Sequence, residues 1–417
     1  MKHILIICDV YPPEISSAAH LMQELAQGLY KNGYSTTVAT TYPQYYLSQN
    51  KPNQHYQINS SENGINIIRV KTLPLKRVNF IIRGISQLVL PFLFLKKVKK
   101  HIKEKIDIVI VYSPPLTLGI VGEKIKKYYQ AKFILNLQDI FPQNAIDLGI
   151  LKDRFLIKFF EWIEKNVYKK ADLITFHSHG GRQFLIDRKG VFSDKIVTLH
   201  NWININSFQN LKQKISFRKK WGLKNKFIFV FGGIIGPAQG LELLVKIAKK
   251  ISDLQDIIFL IVGDGIEKQK IQDLIKKYNL KNIIIKPFIN KKDYPYLIQD
   301  SDIGIVCLNP ANKTPFVPGK FLGYLAAGKP VLALLNHESD GFDLIKKAKC
   351  GWAINSDDIK KGAELVRQIY NMSKANISNS AYYQKNKLNK LGHNGYVYAL
   401  NNFSIQSCIN KLEKLFH

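Results

Sequence analysis

The sequence predicts an α/β protein made of two doubly wound domains in tandem, each a parallel sheet covered by helices. Three observations carry that expectation. Short β-branched runs alternate with helical patterns, the runs are apolar on consecutive rather than alternate residues, and the alternation stops once and then restarts. The first series reads "HILIICDV", "STTVATT", "INIIRV", "DIVIVYS", "KFILNLQD", "DLITFHS" and "KIVTLHN". Residues 204–223, "NINSFQNLKQKISFRKKWGL", are polar and aperiodic, which predicts a linker between domains at 1–203 and 224–400. The second series reads "KFIFVFGG", "IIFLIVGDG", "NIIIKPF", "DIGIVCL" and "PVLALL". A chain of 417 residues, 46% hydrophobic, suits two cores better than one. The tail has helical spacing from about Ser404, so residues 401–417 are expected to pack back as a brace.

Composition bounds the partners. The chain holds 61 Lys plus Arg against 31 Asp plus Glu, a formal charge of +30. Such an excess attracts a nucleotide, an anionic membrane surface or a nucleic acid, unless an Ile, Lys and Asn-rich coding bias accounts for it. No nucleic-acid reader motif accompanies the charge, so nucleic acid is not expected. Cys8, Cys307, Cys350 and Cys408 are far apart, as suits a reducing cytoplasm. "MKHILIICDVYPPE" meets Asp9 and a proline pair too soon for a signal peptide and reads as a first strand. Residues 80–105, "FIIRGISQLVLPFLFLKKVKKHIKEK", are too interrupted to span a bilayer. Their Leu, Phe and Ile run straight into Lys96, Lys97, Lys99, Lys100, Lys103 and Lys105. That fits either a helix lying on an anionic leaflet or a core helix with a solvated tail.

Two doubly wound sheets bind ligands at the carboxyl ends of their strands, and the cleft between two such domains is the expected active site. The glycine-rich turns fall at those ends. "FGGIIGPAQGLELLVKIAKK" passes through Gly232, Gly233, Gly236 and Gly240 into a helix, a geometry that holds a diphosphate on backbone N–H groups. Gly263 and Gly265 flank Asp264 one strand later. In "TPFVPGKFLGYLAAGKPVLA", Gly319 and Lys320 stand at a helix start among Phe316, Val317, Phe321 and Leu322, so a cation and free N–H groups would form an anion clamp. Asp139 follows the strand "KFILNLQD" and is either a group near the reacting centre or a cap for the segment from Phe141. Asn201 and Trp202 end another strand, where they line the cleft or anchor a hinge. Tyr42, Tyr45 and Tyr46 are either sugar-stacking rings or loop packing. His20, His177, His179 and His200 lack metal-ligand spacing, so no metal is predicted.

The order of these motifs resembles the retaining glycosyltransferases of family 4, which have the GT-B fold of two facing Rossmann-like domains. The resemblance covers nearly the whole chain. "DVYPPEISSAAHLMQELAQGLYKNGYSTTVAT" is similar to that family's first strand, acceptor-side loop and first helix; "NLQDIFPQNAIDLGIL" and "LHNWIN" are similar to later motifs of the same lobe. "GPAQGLELL", "VGDG" and "VPGKFLGYLAAGKPV" resemble its donor lobe. The pattern looks most like the bacterial, fucosaminyltransferase-type subgroup that builds O-antigen, lipopolysaccharide and capsule chains.

The resemblance implies a cytoplasmic enzyme, peripheral on the inner face of the membrane. It would move a hexosyl or N-acetylhexosaminyl group from a nucleotide-diphosphate donor, expected to be a UDP-sugar, to a polyprenyl-diphosphate-linked saccharide without a cofactor. It places Gly233, Gly236, Gln239, Gly240, Gly263, Gly265, Gly319, Lys320, Phe321 and Leu322 at the donor, Ser16 and Ser17 in the acceptor-side loop, and Asp139 and Lys320 at the chemistry. The sequence also departs from the family. Two glutamates separated by seven intervening residues are replaced at the matching positions by Pro315 and Gly323, a histidine by Gln138, paired glycines by Ser16 and Ser17, and basic loop residues by Pro237 and Gln239. The alternatives are a degenerate GT-B protein that binds nucleotide or a partner without turnover, or a nucleotide-sugar 2-epimerase.

Overall fold

The computed structural model describes residues 1–14, 16–43, 56–75, 78, 80–209, 211, 215–374 and 379–416, with backbone only at 80, 81 and 379–386. The chain divides into two units, Met1–Asn201 with Ile405–His417, and Trp202–Ser404.

The first unit is built on strands β1 (His3–Ile7), β2 (Ser35–Thr41), β3 (Asn59–Glu62), β4 (Ile65–Val70), β5 (Ile108–Ser113), β6 (Lys132–Leu137), β7 (Leu173–Phe176) and β8 (Ile196–Thr198). They lie in the order β3-β4-β2-β1-β5-β6-β7-β8. All neighbours are parallel except β3 with β4. β1 and β5 are buried along their whole lengths, which is why their sequences are apolar without alternation. The helices Phe80–His101, Leu118–Tyr129 and Arg154–Lys170 send Phe94, Val121 and Ile163 into one core with this sheet. On the β1–β2 crossover, the helix Ser17–Lys31 takes the C-terminal helix Ile405–Glu413 against Gly28, where any side chain would collide with Ile409.

Arg69 is the largest fully buried side chain of the chain's described residues. Its guanidinium donates to Glu62 at 2.9 Å, to Ser60 at 3.1 Å and to the Pro12 carbonyl at 3.3 Å, and it sits 5.1 Å from the Tyr56 ring. One buried cation thus ties the loop after β1 to the β3–β4 edge.

The second unit carries β9 (Phe227–Ile234), β10 (Ile257–Asp264), β11 (Ile283–Lys286), β12 (Ile303–Cys307), β13 (Val331–Leu335) and β14 (Gly351–Asn355), all parallel, in the order β11-β10-β9-β12-β13-β14. Residues 204–223 do not stand apart as the expected linker. Ile205, Phe208, Phe217 and Leu223 are buried in this unit's core, the short helices Asn206–Gln209 and Phe217–Lys220 being amphipathic pieces too brief to show a period. In each sheet the order reverses direction once, between β1 and β5 in the first and between β9 and β12 in the second, and such reversals open a crevice beyond the strand ends.

The helix Phe80–His101 contains Pro91 and is half core: Leu90, Phe94 and Val98 are buried while Ile82, Ile85, Leu88 and Phe92 are exposed. Among the described residues, no helix is long and apolar enough to cross a membrane. Tyr42 is half-buried and its N–H donates to the Val70 carbonyl at 3.1 Å; Tyr45 and Tyr46 lie outside the described residues.

Candidate active site

At the reversal point of the second sheet, β9 closes with Phe231, Gly232, Gly233 and Ile234. Lys320, the first residue of the helix Lys320–Ala326, reaches over that end. Its Nζ lies 4.5 Å from the centre of the Phe231 ring, and its Cε would be 3.1 Å from a Cβ placed on Gly233, whose φ is +141°. Gly233 is therefore required twice, by its backbone angle and by the lysine beside it. Lys320 is half-buried, and burial pulls its ammonium down to about 8, while Cys307 nearby acts in the opposite sense. Among the described residues, no carboxylate contributes to that balance. A desolvated cation at a sheet reversal, with no carboxylate offsetting its burial, is an arrangement that can accept an anion.

The turn after β9 is braced from the end of β12. Asn309 donates through its backbone N–H to the Ala238 carbonyl and through its side chain to the Pro237 carbonyl, each at 2.9 Å, and Asn312 donates to Ala238 at 3.3 Å. Gly236 precedes the 3-10 turn Pro237–Gln239, with Gln239 folded back toward it. Gly240, at φ +56°, opens the helix Leu241–Lys250 and lies so close to Asn309 that a Cβ would sit 3.0 Å from its Cα. Asn309 and Asn312 carry no motif of their own, and the sequence reading missed them.

Other predicted donor residues have structural explanations. A Cβ on Gly263 would collide with the Gly233 carbonyl, and one on Gly265 with the Ile235 carbonyl, so these two glycines let β9 and β10 close up. The side chains of Phe321 and Leu322, residues expected at the donor, belong to the core, 0% and 8% exposed; the helical period that aims Lys320 outward turns them in. Gly319 is the converse case: its φ is −60° and a Cβ there would meet nothing within 4 Å, so neither backbone nor packing calls for glycine.

Gly323 lacks a side chain because Tyr294 fills the space. A Cβ on Gly323 would lie 2.9 Å from one edge of the Tyr294 ring, and a Cβ on Gly232 would lie 2.9 Å from the other. The ring is thus clamped between β9 and the helix that starts at Lys320, and burial raises its phenol well above the ordinary range. Tyr294 also escaped the sequence reading, although two glycines at packed positions, Gly232 and Gly323, are the mark a neighbouring ring leaves.

In the first unit, the ends of β6, β7 and β8 converge on a polar network. Asn201 donates to Gln138 Oε1 at 2.7 Å, Gln138 donates to Asn136 at 2.5 Å, His177 Nε2 meets the Gln138 carbonyl at 3.1 Å, and His200 Nδ1 meets the His177 carbonyl at 2.8 Å. Burial holds His177 down at about 4, so it is neutral at pH 7. Asp139 follows this network and is solvent-exposed, yet the protein around it raises its carboxyl pKa by desolvation. The helix Gln143–Asp147 has Pro142 at its cap and no side-chain cap bond, so Asp139 does not serve as that cap.

Ser16 caps the helix Ser17–Lys31 by accepting from the Ala19 N–H at 3.1 Å, and Ser17 is exposed beside it. The division between the units falls between Asn201 and Trp202. Trp202 is buried, and its Nε1–H has no hydrogen-bond partner among the described residues. A cavity of about 420 Å³, lined by Lys226, Asp256, Lys329, Tyr370 and Lys374 among others, opens at the opposite, N-terminal end of the second sheet. Among the described residues, no group of three His, Cys, Asp or Glu is placed to hold a metal.

The model of Glycosyltransferase Family 4 matches residues 18–207, and that of Glycosyl transferases group 1 matches residues 213–402. The chain is 24% identical over 337 residues to WcaI of Escherichia coli, described as a colanic acid biosynthesis glycosyl transferase, covering 78% of this chain and 81% of that one. A shorter stretch, 31% of this chain and 34% of the other, is 28% identical to a Campylobacter jejuni 4-alpha-N-acetylgalactosaminyltransferase acting on an N-acetylgalactosamine-N,N'-diacetylbacillosaminyl-diphospho-undecaprenol. Anabaena HepE, solved with UDP-glucose, superposes with a TM-score of 0.70 at 15% identity over 100% of this chain and 99% of that one.

Proposed function

The chain belongs to the family 4 glycosyltransferases of GT-B fold, and from that premise we propose that it transfers a sugar, with retention, from a UDP-sugar to a polyprenyl-diphosphate-linked saccharide during surface polysaccharide assembly. The observation that carries this reading is Lys320: a half-buried ammonium without an acidic partner, over the glycine end of β9. When the bond between sugar and diphosphate breaks, negative charge grows on the leaving group, and a preorganised cation in a desolvated site stabilises it more than water would. Gly233 lets the diphosphate approach the backbone, and open space at Gly319 leaves room beside the clamp. Gly236, Gln239 and Gly240 shape the turn that faces it. The nucleotide has a precedent in HepE with UDP-glucose, and the lipid-linked acceptor in the Campylobacter relative.

In this mechanism the departing phosphate takes the proton of the acceptor hydroxyl. Two flanking carboxylates, as in hydrolytic glycosidases, are then unnecessary. Asp139 is the protein group assigned near the reacting sugar or acceptor, with Ser16 and Ser17 on the acceptor side; Asn201 positions the network before it through Gln138. The sugar would be a hexose or N-acetylhexosamine of the fucosaminyltransferase type. No resident cofactor enters the reaction, so EDTA should leave transfer unchanged. The protein would work on the cytoplasmic face of the membrane, held there by residues 80–105.

The second reading is a protein that keeps the fold and binds nucleotide without turnover. It is favoured by one observation, that Tyr294 fills the position beside Gly323 where family members carry an acid. A calorimetric screen of UDP-, GDP-, ADP- and CDP-sugars, followed by product analysis with a lipid-diphosphate acceptor, separates the two. Sugar transfer with one donor supports the enzyme; nucleotide binding without any product across the acceptor series supports the second reading.

A further inference from the structure

The outer face of the helix Arg154–Lys170 carries an aromatic stripe that nothing among the described residues covers. Phe160, Ile163 and Val167 turn into the core of the first unit, whereas Phe155 is 85% exposed, Trp162 64% and Phe159 39%. Positions 155, 159 and 162 lie on one stripe of a helix, and Phe159 stacks on Trp162 with ring centres 6.4 Å apart. Arg154, Lys158, Lys165 and Lys169 are exposed along the adjoining row. The same helical layer bears a second stripe of this kind. On the helix Phe80–His101, exposed Ile82, Ile85 and Phe92 lie opposite buried Leu90 and Phe94, and the stripe continues into exposed Lys96 and Lys99.

We propose that the helix Arg154–Lys170 is a bilayer-docking element: its aromatic stripe enters the interface of an anionic leaflet and its basic row lies on the head groups. Contiguous exposed apolar surface on a monomer marks an interaction site. Aromatic rings beside a lysine row match the layered chemistry of a membrane interface, apolar below and anionic above. A second copy of this chain is the poorer occupant, because pairing the stripe with itself would bring two basic rows together. The purpose of docking rests on the reading of a membrane-borne acceptor, whereas the surface itself does not.

The test is flotation of the full chain with phosphatidylcholine vesicles, with and without about one-third phosphatidylglycerol. Wild type should float with the anionic vesicles, and Phe155→Ser/Phe159→Ser/Trp162→Ser should bind roughly tenfold less or weaker still. The triple variant should keep the wild-type melting temperature, since all three rings are at the surface. Lys158→Glu/Lys165→Glu should lose the preference for anionic lipid. If the triple variant fails to fold, quenching of wild-type Trp162 fluorescence by brominated lipid, set against Trp162→Phe, decides instead. Equal flotation of the triple variant and wild type overturns the proposal. So does absence of wild-type binding, or a dimer that the triple variant converts to monomer. Transfer to a detergent-solubilised acceptor reports separately on catalysis: transfer without flotation removes the docking surface and the anchorage by residues 80–105 but not the enzymatic reading, and flotation without transfer removes only the enzymatic reading.

Discussion

Replacing Lys320 by methionine separates a binding role from a structural one, because the two predict opposite signs. Burial holds this ammonium at about 8 instead of 10.5. At ~1.4 kcal/mol per pH unit, keeping it charged at neutral pH costs the fold up to about 3 kcal/mol. Methionine fills similar space without that cost and forfeits a contact with Phe231 worth about 0.5–1 kcal/mol. The net expectation is a ligand-free protein more stable by about 1–2 kcal/mol, with the melting point of the second unit raised by roughly 2–4 °C per kcal/mol. Binding should move the other way. Loss of a charge-assisted bond to a diphosphate costs about 1.5–3 kcal/mol, so calorimetry should show nucleoside diphosphate affinity falling roughly 10- to 150-fold. The pH dependence gives a further check. Below about 8 the lysine is protonated in both the folded and unfolded chain; between about 8 and 10.5 only the unfolded chain keeps the proton, so stability rises across that window in wild type and not in Lys320→Met. A variant with a lower ligand-free melting point and unchanged nucleotide affinity would refute the reasoning.

Gly323→Ala should destabilise the second unit by about 1–3 kcal/mol in urea titrations because its Cβ overlaps the Tyr294 ring, and Gly323→Ala/Tyr294→Leu should recover part of that loss. His177, buried and held at about 4, contributes stability that is complete above its ordinary value of 6.5 and declines as pH falls toward 4. Urea midpoints of wild type at pH 7 and pH 5 should therefore differ more than those of His177→Gln. Arg69→Met should cost about 2–4 kcal/mol, since it strips the partner from Glu62 and leaves Ser60 and the Pro12 carbonyl without their donor; thermal melts would register it in the first unit.

Strands buried on both faces announced themselves. β1, β5, β9 and β12 are dominated by Ile, Val, Leu and Phe, and the sequence segments assigned to strands cover them all but for Ile234 at the end of β9. β3, with the sequence "NSSE", did not, because it is a half-exposed antiparallel edge whose pairing is decided by β4 beside it and not by its own side chains. β14, "GWAIN", was hidden likewise, as an edge strand beginning at a glycine with φ +157°. At the site, Lys320 was legible from an unmatched cation among apolar neighbours. Tyr294 was not, because its partners Gly232 and Gly323 are 62 and 29 residues away in the chain and only the folded sheet brings them to the same ring. Gly263 and Gly265 show that a glycine cluster at strand ends also serves where two backbones meet, a role the sequence does not distinguish from a ligand contact.

The C-terminal helix places the second unit inside the first in the order of synthesis. Residues 405–416 complete a face of the first unit's helix Ser17–Lys31, where Ile409 covers Gly28 and Lys2 donates to the Phe416 carbonyl at 3.2 Å. A ribosome adding ~5–20 residues per second needs roughly 10–40 s to make the intervening unit. For that interval the nascent first unit holds an open apolar seam that its own last turn will seal. A chain cut short anywhere after Asn201 therefore leaves its defect at the beginning, where a quality-control protease or chaperone would find it.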